Sequence, residues 1–326
     1  MDSSPKCRRA LILGIASALL CAFIVACGGG DDDSAAGNAT GDADRLNVVA
    51  TIVTIEALAR EVGGDLVDIR GIVPPGADAH EFEPVASDLQ AIEDADVILR
   101  HGVGIDDWLD DTLSSNEDAT IVVVTEGVEL HEPALVEGAE EGEEHEGEEE
   151  GLDPHVWHDP DNDKIMVTNI ADALAEADPG HESEYRENAA AYLGTLDNTK
   201  SEVQAIIDEI PPASRKLVTN HDAFGYFARA FGLEIVGAVI PSTTTEAEPS
   251  AGATAALLDT IEREGVKAIF AESSVNPQLA RTLADDAGIE IVDDLYGDSL
   301  GEPGSGAETV HEMLLANARK IADALK

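Results

Sequence analysis

Cysteine is nearly absent, and its few positions exclude a good deal. The chain of 326 residues has three, Cys7, Cys21 and Cys27. No thiol therefore lies in the body of the sequence, which can hold neither a disulfide nor a cysteine-type zinc site. Positive charge is scarce as well: 19 Lys and Arg face 67 Asp and Glu, for a formal net charge of −48. Nucleic acid is excluded as a partner, because a polyanion gains nothing from a second polyanion. A field of that sign concentrates cations without selecting among them, and solubility is its simpler use. Long apolar runs are missing too, apart from residues 10–26, a length marginal for crossing a bilayer.

That one run has the setting of an export signal. Lys6, Arg8 and Arg9 precede it, and it ends in Ile24-Val25-Ala26-Cys27, where small residues permit cleavage and the cysteine can be acylated. Residues 1–27 are expected to be a bacterial lipoprotein signal with Cys27 as the lipidation site. Two or more acyl chains there make a stable membrane anchor, since each buried CH₂ contributes about 0.8 kcal/mol. The alternative, an uncleaved anchor helix, fits less well, because Gly28-Gly29-Gly30-Asp31-Asp32-Asp33 follows without basic stop-transfer residues. Either reading places the folded part outside the cytoplasm, on the cell surface or the periplasmic side. Residues 28–45, rich in Gly, Asp, Ala and Ser, read as a flexible tether.

From Leu46 onward, short β-branched runs alternate with helical stretches, the pattern of βαβ units around parallel sheets. Strands are expected at 46–51, 67–73, 97–100, 121–125, 216–219, 234–239, 268–271 and 290–292. These fall into two groups of four. The fold class is therefore α/β, with two (β/α)₄ lobes, one over 46–180 and the other over 211–326. Between them, residues 181–210 carry apolar side chains at three-to-four spacing, bounded by Pro179-Gly180 and Pro211-Pro212. A helix of that length would span about 45 Å, a stiff spine along both lobes. Within the first lobe, residues 132–151 form an acidic insertion, nearly all Glu and Gly from Glu137 onward, and are expected to be solvated and disordered.

The nine histidines can be weighed singly. His80 follows a predicted strand after Pro74-Pro75-Gly76; His155 sits in Asp153-Pro154-His155-Val156-Trp157; His221 follows the strand ending at Thr219. Ligand sites in open α/β sheets lie beyond the carboxyl ends of strands, so three such positions from both halves of the chain argue for one cleft. Three imidazoles suit a zinc ion that takes a fourth donor or a water. Asp298 is the best fourth donor, with Asp293 and Asp294 as competitors in what reads as the same turn. His158, one turn from His155, reads as structural, and His101, His131, His181 and His311 read as non-ligands, the last two on exposed helix faces. Trp157 either shields the site or packs the core. Asp222 either caps a helix or orients an imidazole, and Glu272 either lies near the site in the second lobe or serves as a capping or solvated carboxylate.

At these residues the chain resembles the zinc and manganese solute-binding lipoproteins of ABC importers, the cluster A-I or cluster 9 family. The motifs are Gly76-Ala77-Asp78-Ala79-His80-Glu81-Phe82-Glu83-Pro84, Asp153-Pro154-His155-Val156-Trp157, Asn220-His221-Asp222-Ala223-Phe224-Gly225-Tyr226-Phe227, Ala271-Glu272-Ser273-Ser274 and Tyr296-Gly297-Asp298-Ser299-Leu300. The resemblance implies two lobes bridged by a rigid helix, metal held between them by His80, His155, His221 and Asp298, and partners in a membrane permease and its ATPase. It implies a monomer that performs no chemistry on its cargo. Manganese-type members carry a glutamate where this chain has His221, so the resemblance points to Zn²⁺, with Mn²⁺ the less favoured ion and iron a further alternative. Zinc members often carry a histidine-rich insertion before the second motif; here that insertion is glutamate-rich. Two rivals from other classes are a three-histidine zinc hydrolase, for which no His-Glu-x-x-His motif is present, and an adhesin with an incidental metal.

Overall fold

The computed structural model describes residues 45–113, 116, 118–135, 151–245 and 247–326. Cys27, the expected signal, all but the last residue of the expected tether and most of the acidic insertion, including His145, lie outside the described residues.

The first lobe runs β1 (Leu46–Ala50), α1 (Val53–Gly63), β2 (Val67–Gly71), α2 (Ala86–Glu93), β3 (Val97–Arg100), α3 (Asp110–Leu113) and β4 (Thr120–Val123). After the insertion come α4 (Pro160–Ala177) and α5 (Glu182–Ile207). The second lobe runs β5 (Lys216–Thr219), α6 (Gly225–Phe231), β6 (Glu234–Ala238), α7 (Ala251–Glu264), β7 (Ala268–Glu272), α8 (Gln278–Ala287), β8 (Glu290–Leu295) and α9 (Val310–Leu325). All strand pairs are parallel, in the orders β2-β1-β3-β4 and β6-β5-β7-β8. The two sheets thus repeat one topology, each doubling back at its first strand. Such a reversal opens a crevice at the carboxyl ends of the central strands, where the loops diverge.

The two-sheet α/β architecture read from the sequence is what the chain adopts. One boundary differs with consequence. β8 was expected to end at Val292 but pairs with β7 as far as Leu295. Asp293 and Asp294 therefore belong to the strand and do not share a turn with Asp298. Asp293 is ion-paired to Arg281, and Asp294 lies 3.0 Å from Lys320 Nζ.

The long helix α5 has 26 residues, about 39 Å, a little shorter than expected: His181 belongs to a separate 3-10 turn, Pro179–His181, and the helix ends at Ile207, three residues before its expected limit. Its buried face is Tyr185, Ala189, Tyr192, Leu196, Thr199, Val203 and Ile207, a three-to-four repeat that keeps one stripe inward along the whole length. That stripe packs on α1 and α4 of the first lobe and on α6 and α9 of the second. One apolar cluster consequently includes Val48, Leu99 and Trp157 together with Leu196, Phe227 and Phe270, so the lobes share a core. A shared core couples their stability, in contrast to lobes joined by a bare linker.

Candidate metal centre

Three of the four side chains singled out in the sequence lie just after a strand or just before a helix, and the fourth, His80, lies partway along the longer connection between β2 and α2. His80 lies in the irregular segment after β2, where Gly76 at φ +80 turns the chain and the His80 amide donates to Asp78 Oδ1 at 2.9 Å. The same segment is tied to the other lobe, because the Gly76 amide donates to Ser299 Oγ at 2.6 Å. His155 leads into α4, whose start is marked by Pro160 at its first position and by Asp159, which accepts from the Asp161 amide. His221 follows β5, with its carbonyl accepting from Thr219 Oγ1 at 2.6 Å. Asp298 follows β8, in a turn that requires glycine beside it: a Cβ on Gly297 would lie 1.6 Å from Glu272 Oε2.

These residues, far apart in the chain, converge. His155 Nε2 is 3.1 Å from Asp298 Oδ1, His80 Nε2 and His221 Nε2 are 3.4 and 3.3 Å from Asp298 Oδ2, and the Nε2 atoms of His155 and His221 are 3.3 Å apart. One donor atom from each residue can be chosen so that all lie within 4.8 Å of one another. Four donors around a tetrahedral zinc ion at about 2.0–2.1 Å would stand about 3.4 Å apart, close to the spacings found. His155, His221 and Asp298 are at most 1% exposed. The His80 side chain, at 5%, is the most open of the set.

Two of the imidazoles are held from behind by carboxylates. His155 Nδ1 donates to Asp153 Oδ1 at 2.7 Å, and the same oxygen accepts the His155 amide at 3.0 Å. His221 Nδ1 donates to Glu272 Oε1 at 2.6 Å. Each bond directs the Nε2 atom toward Asp298, the orientation a metal-ligating histidine needs. Asp222, the carboxylate expected either to cap a helix or to orient an imidazole, does something else: its Oδ2 accepts the Leu135 amide at 2.8 Å and leaves His221 to Glu272. It does not cap α6 either, whose N-terminal cap is Phe224.

The electrostatics favour positive charge at the centre. Burial pulls the His155 imidazole down, but Asp298 and Asp153 outweigh it and push it up to about 9. Burial likewise opposes the charged form of His221, and Glu272 and Asp298 raise it well above its ordinary value. Burial would raise Asp298, yet the three imidazoles hold it well below the usual carboxylate range. Both Asp298 oxygens and His80 Nε2 are nonetheless buried without a well-directed hydrogen bond. Such groups are costly to keep, and a cation shared among them removes the cost.

The remaining described histidines stand outside the cluster. His158 is buried and stacked on Phe224 with ring centroids 4.8 Å apart, and burial pushes it down to about 3. His131 donates its amide to Tyr226, and His181 is exposed at the head of α5. His311, expected on an exposed face, is half-buried and meets the Tyr192 hydroxyl at 3.3 Å, because α9 packs on α5. Trp157 is fully buried, lies edge-on to His155, and donates its indole N–H to the Gly297 carbonyl at 3.0 Å, which joins the His155 segment to the Asp298 turn. The support from Asp153 was missed in the sequence, although Asp two positions before a histidine, with proline between, is a local signal for a side chain folding back on the following amide.

Comparison with known proteins follows the same lines. The profile of the family described as zinc-uptake complex component A, periplasmic, matches residues 48–324. The manganese-binding lipoprotein MntA of Halalkalibacterium halodurans is 30% identical over 302 residues, covering 93% of this chain and 95% of the relative. The iron ABC transporter substrate-binding lipoprotein MtsA of Streptococcus pyogenes serotype M1 is 31% identical over 326 residues, 98% of each chain. Among solved structures, the periplasmic zinc-binding protein TroA of Treponema pallidum superposes with a TM-score of 0.77 at 28% identity, covering 86% of this chain and 99% of that one. Members of this family are substrate-binding components of transporters and not enzymes. With a profile match over nearly the whole described chain, and a histidine-carboxylate cluster where its two sheets meet, the protein belongs to the metal-binding solute-binding proteins of ABC importers.

Proposed function

We propose that the protein captures Zn²⁺ between its lobes and delivers it to the permease and ATPase of its importer. The ion would be held by the Nε2 atoms of His80, His155 and His221 and by ionised Asp298. The observation that carries this reading is the buried convergence of three imidazoles on one carboxylate, within 4.8 Å, from segments of both lobes. Three nitrogen donors make a softer site than a carboxylate-rich one, which favours zinc over oxygen-preferring manganese. Asp298 occupies the position a hydrolytic water would need, so the set is a closed site suited to holding an ion.

The same reading includes a lipid anchor on Cys27 that keeps a monomer on the outer face of the cell membrane, where export places it. It is supported by the signal in the sequence and by relatives named as lipoproteins. The domain division proposed with it runs 1–27 signal, 28–45 tether, 46–180 and 211–326 lobes, 181–210 connecting helix.

Relatives named for manganese and iron make those ions the second reading. Elemental analysis of protein purified without added metal, followed by competition titration, decides between them. Zinc bound at one ion per chain and not displaced by excess manganese is the expected result. Retention of manganese or iron against equimolar zinc would overturn the zinc assignment. Asp298→Ala should abolish tight zinc binding; zinc retained at wild-type affinity together with esterase activity would point instead to an enzyme.

A further inference from the structure

His101, a histidine that takes no part in the cluster, is fixed with unusual care. Its amide donates to Asp106 Oδ2 at 2.6 Å and to Thr51 Oγ1 at 3.1 Å, and its carbonyl accepts from Thr125 Oγ1 at 2.6 Å. These contacts tie the ends of β1, β3 and β4 together around one residue. Asp106 reaches it only because the chain doubles back through Gly102 at φ +82 and Val103 at φ 55. Val103 is the one non-glycine residue with a left-handed backbone among the described residues, a conformation disfavoured for a β-branched side chain. Strain retained at a particular turn directs attention to what the turn holds.

What it holds is a buried ring aimed at the metal segment. His101 is fully buried, and its Nε2 donates to the Pro154 carbonyl, one residue before His155, at 2.8 Å. The carbonyl can only accept, so Nε2 carries the proton. The other ring nitrogen, Nδ1, is buried without a partner. An apolar residue of similar size would pack there without that cost, so the retained imidazole points to a use for its N–H. The ring also lies edge-on to Trp157 at 5.2 Å, and Trp157 donates to the Gly297 carbonyl beside Asp298. One side chain thus braces the segments bearing two of the four cluster residues, one from each side of the cleft.

We propose that His101 is a positioning residue that sets His155 through the Pro154 carbonyl and Asp298 through Trp157, and so slows release of the bound ion. The inference rests on the metal-site reading above. Its test uses the full chain in detergent, in a Trp108→Phe background so that Trp157 alone reports fluorescence, with Co²⁺ as the probe ion and transfer to a chelator followed by stopped flow. Partners that orient metal ligands are typically worth 10–100-fold, and one acting at a further remove belongs at the low end. His101→Leu should release cobalt about tenfold faster than the parent and alter the visible cobalt spectrum. His101→Gln, which restores an N–H of similar reach, should recover both to within about twofold of the parent. Release from His101→Leu at the parent rate, or equally fast release from the Leu and Gln variants, overturns the proposal. Should the Leu variant not fold, Trp157→Phe decides in a wild-type background: it keeps an apolar ring but loses the link to Gly297, and release at the wild-type rate refutes the brace. Should the parent take up neither zinc nor cobalt, the site reading fails. Metal-free Trp157 emission then still tests the brace, which requires a shift in His101→Leu that His101→Gln reverses; no shift refutes it.

Discussion

Acidification is the perturbation that tests the electrostatics of the site most directly. In the metal-free protein Asp298 and Asp153 push His155 up to about 9, so it holds a proton at neutral pH, and Glu272 and Asp298 shift His221 in the same direction. Zinc needs neutral imidazoles, and binding must expel those protons. Each proton released makes the dissociation constant rise tenfold per pH unit of acidification, so two released between about pH 7.5 and about pH 5 raise it on the order of 10⁵-fold, and one on the order of 300-fold. The fall in affinity thus begins well above the range of a free histidine, since Asp298, Asp153 and Glu272 retain the protons. Competition titration against a chelator of known affinity measures the slope. Calorimetry in buffers of different ionisation heat counts the protons. A dissociation constant changing less than about threefold over that span would refute the reasoning. The metal-free protein should show the opposite trend in stability. A folded pKa raised above its unfolded value, about 6.5, contributes stability that is full below that value and lost as pH rises through about 9. For His155 alone the loss is on the order of 3 kcal/mol, read as a lower Tm of the metal-free protein near pH 9 than near pH 6.

The other predictions concern single residues. Glu272→Gln removes the charge behind His221 and should weaken zinc binding about 10–100-fold, measured by the same competition assay, with the metal-free fold intact by circular dichroism. His221→Glu exchanges a nitrogen for an oxygen donor and should shift the zinc-to-manganese affinity ratio toward manganese; an unchanged ratio would remove that donor from the selectivity argument. Leu196→Ala, at a fully buried position on α5, should destabilise by about 2–5 kcal/mol. Because the lobes share that core, denaturant unfolding of the variant should remain a single transition; two separated transitions would contradict the shared core.

Much of the architecture was legible because it rests on local pattern. β-branched runs with helical stretches between them specify parallel βαβ units, and the stripe from Tyr185 to Ile207 specifies a helix packed along its whole length. The three histidines were legible because each lies in a connection that follows a strand or leads into a helix. The fourth donor was harder. Asp293, Asp294 and Asp298 are equivalent by type and spacing, and the pairing of β8 with β7 out to Leu295 separates them, a contact between strands that spacing within one segment does not carry. The carboxylate behind His221 was hidden for the same reason: sequence adjacency points to Asp222, whereas the neighbouring strand β7 presents Glu272 to the ring.

By itself, then, the chain determined its pair of α/β lobes, the spine between them and the residue types able to bind a divalent cation, all properties of segments a few residues to a few tens of residues long. Tertiary structure alone decided which carboxylate closes the cluster, which ring nitrogens point into it, and that His101 is drawn in as a brace. Those outcomes depend on distances between segments up to about two hundred residues apart in the chain, which packing of two sheets against one helix sets and no local pattern encodes.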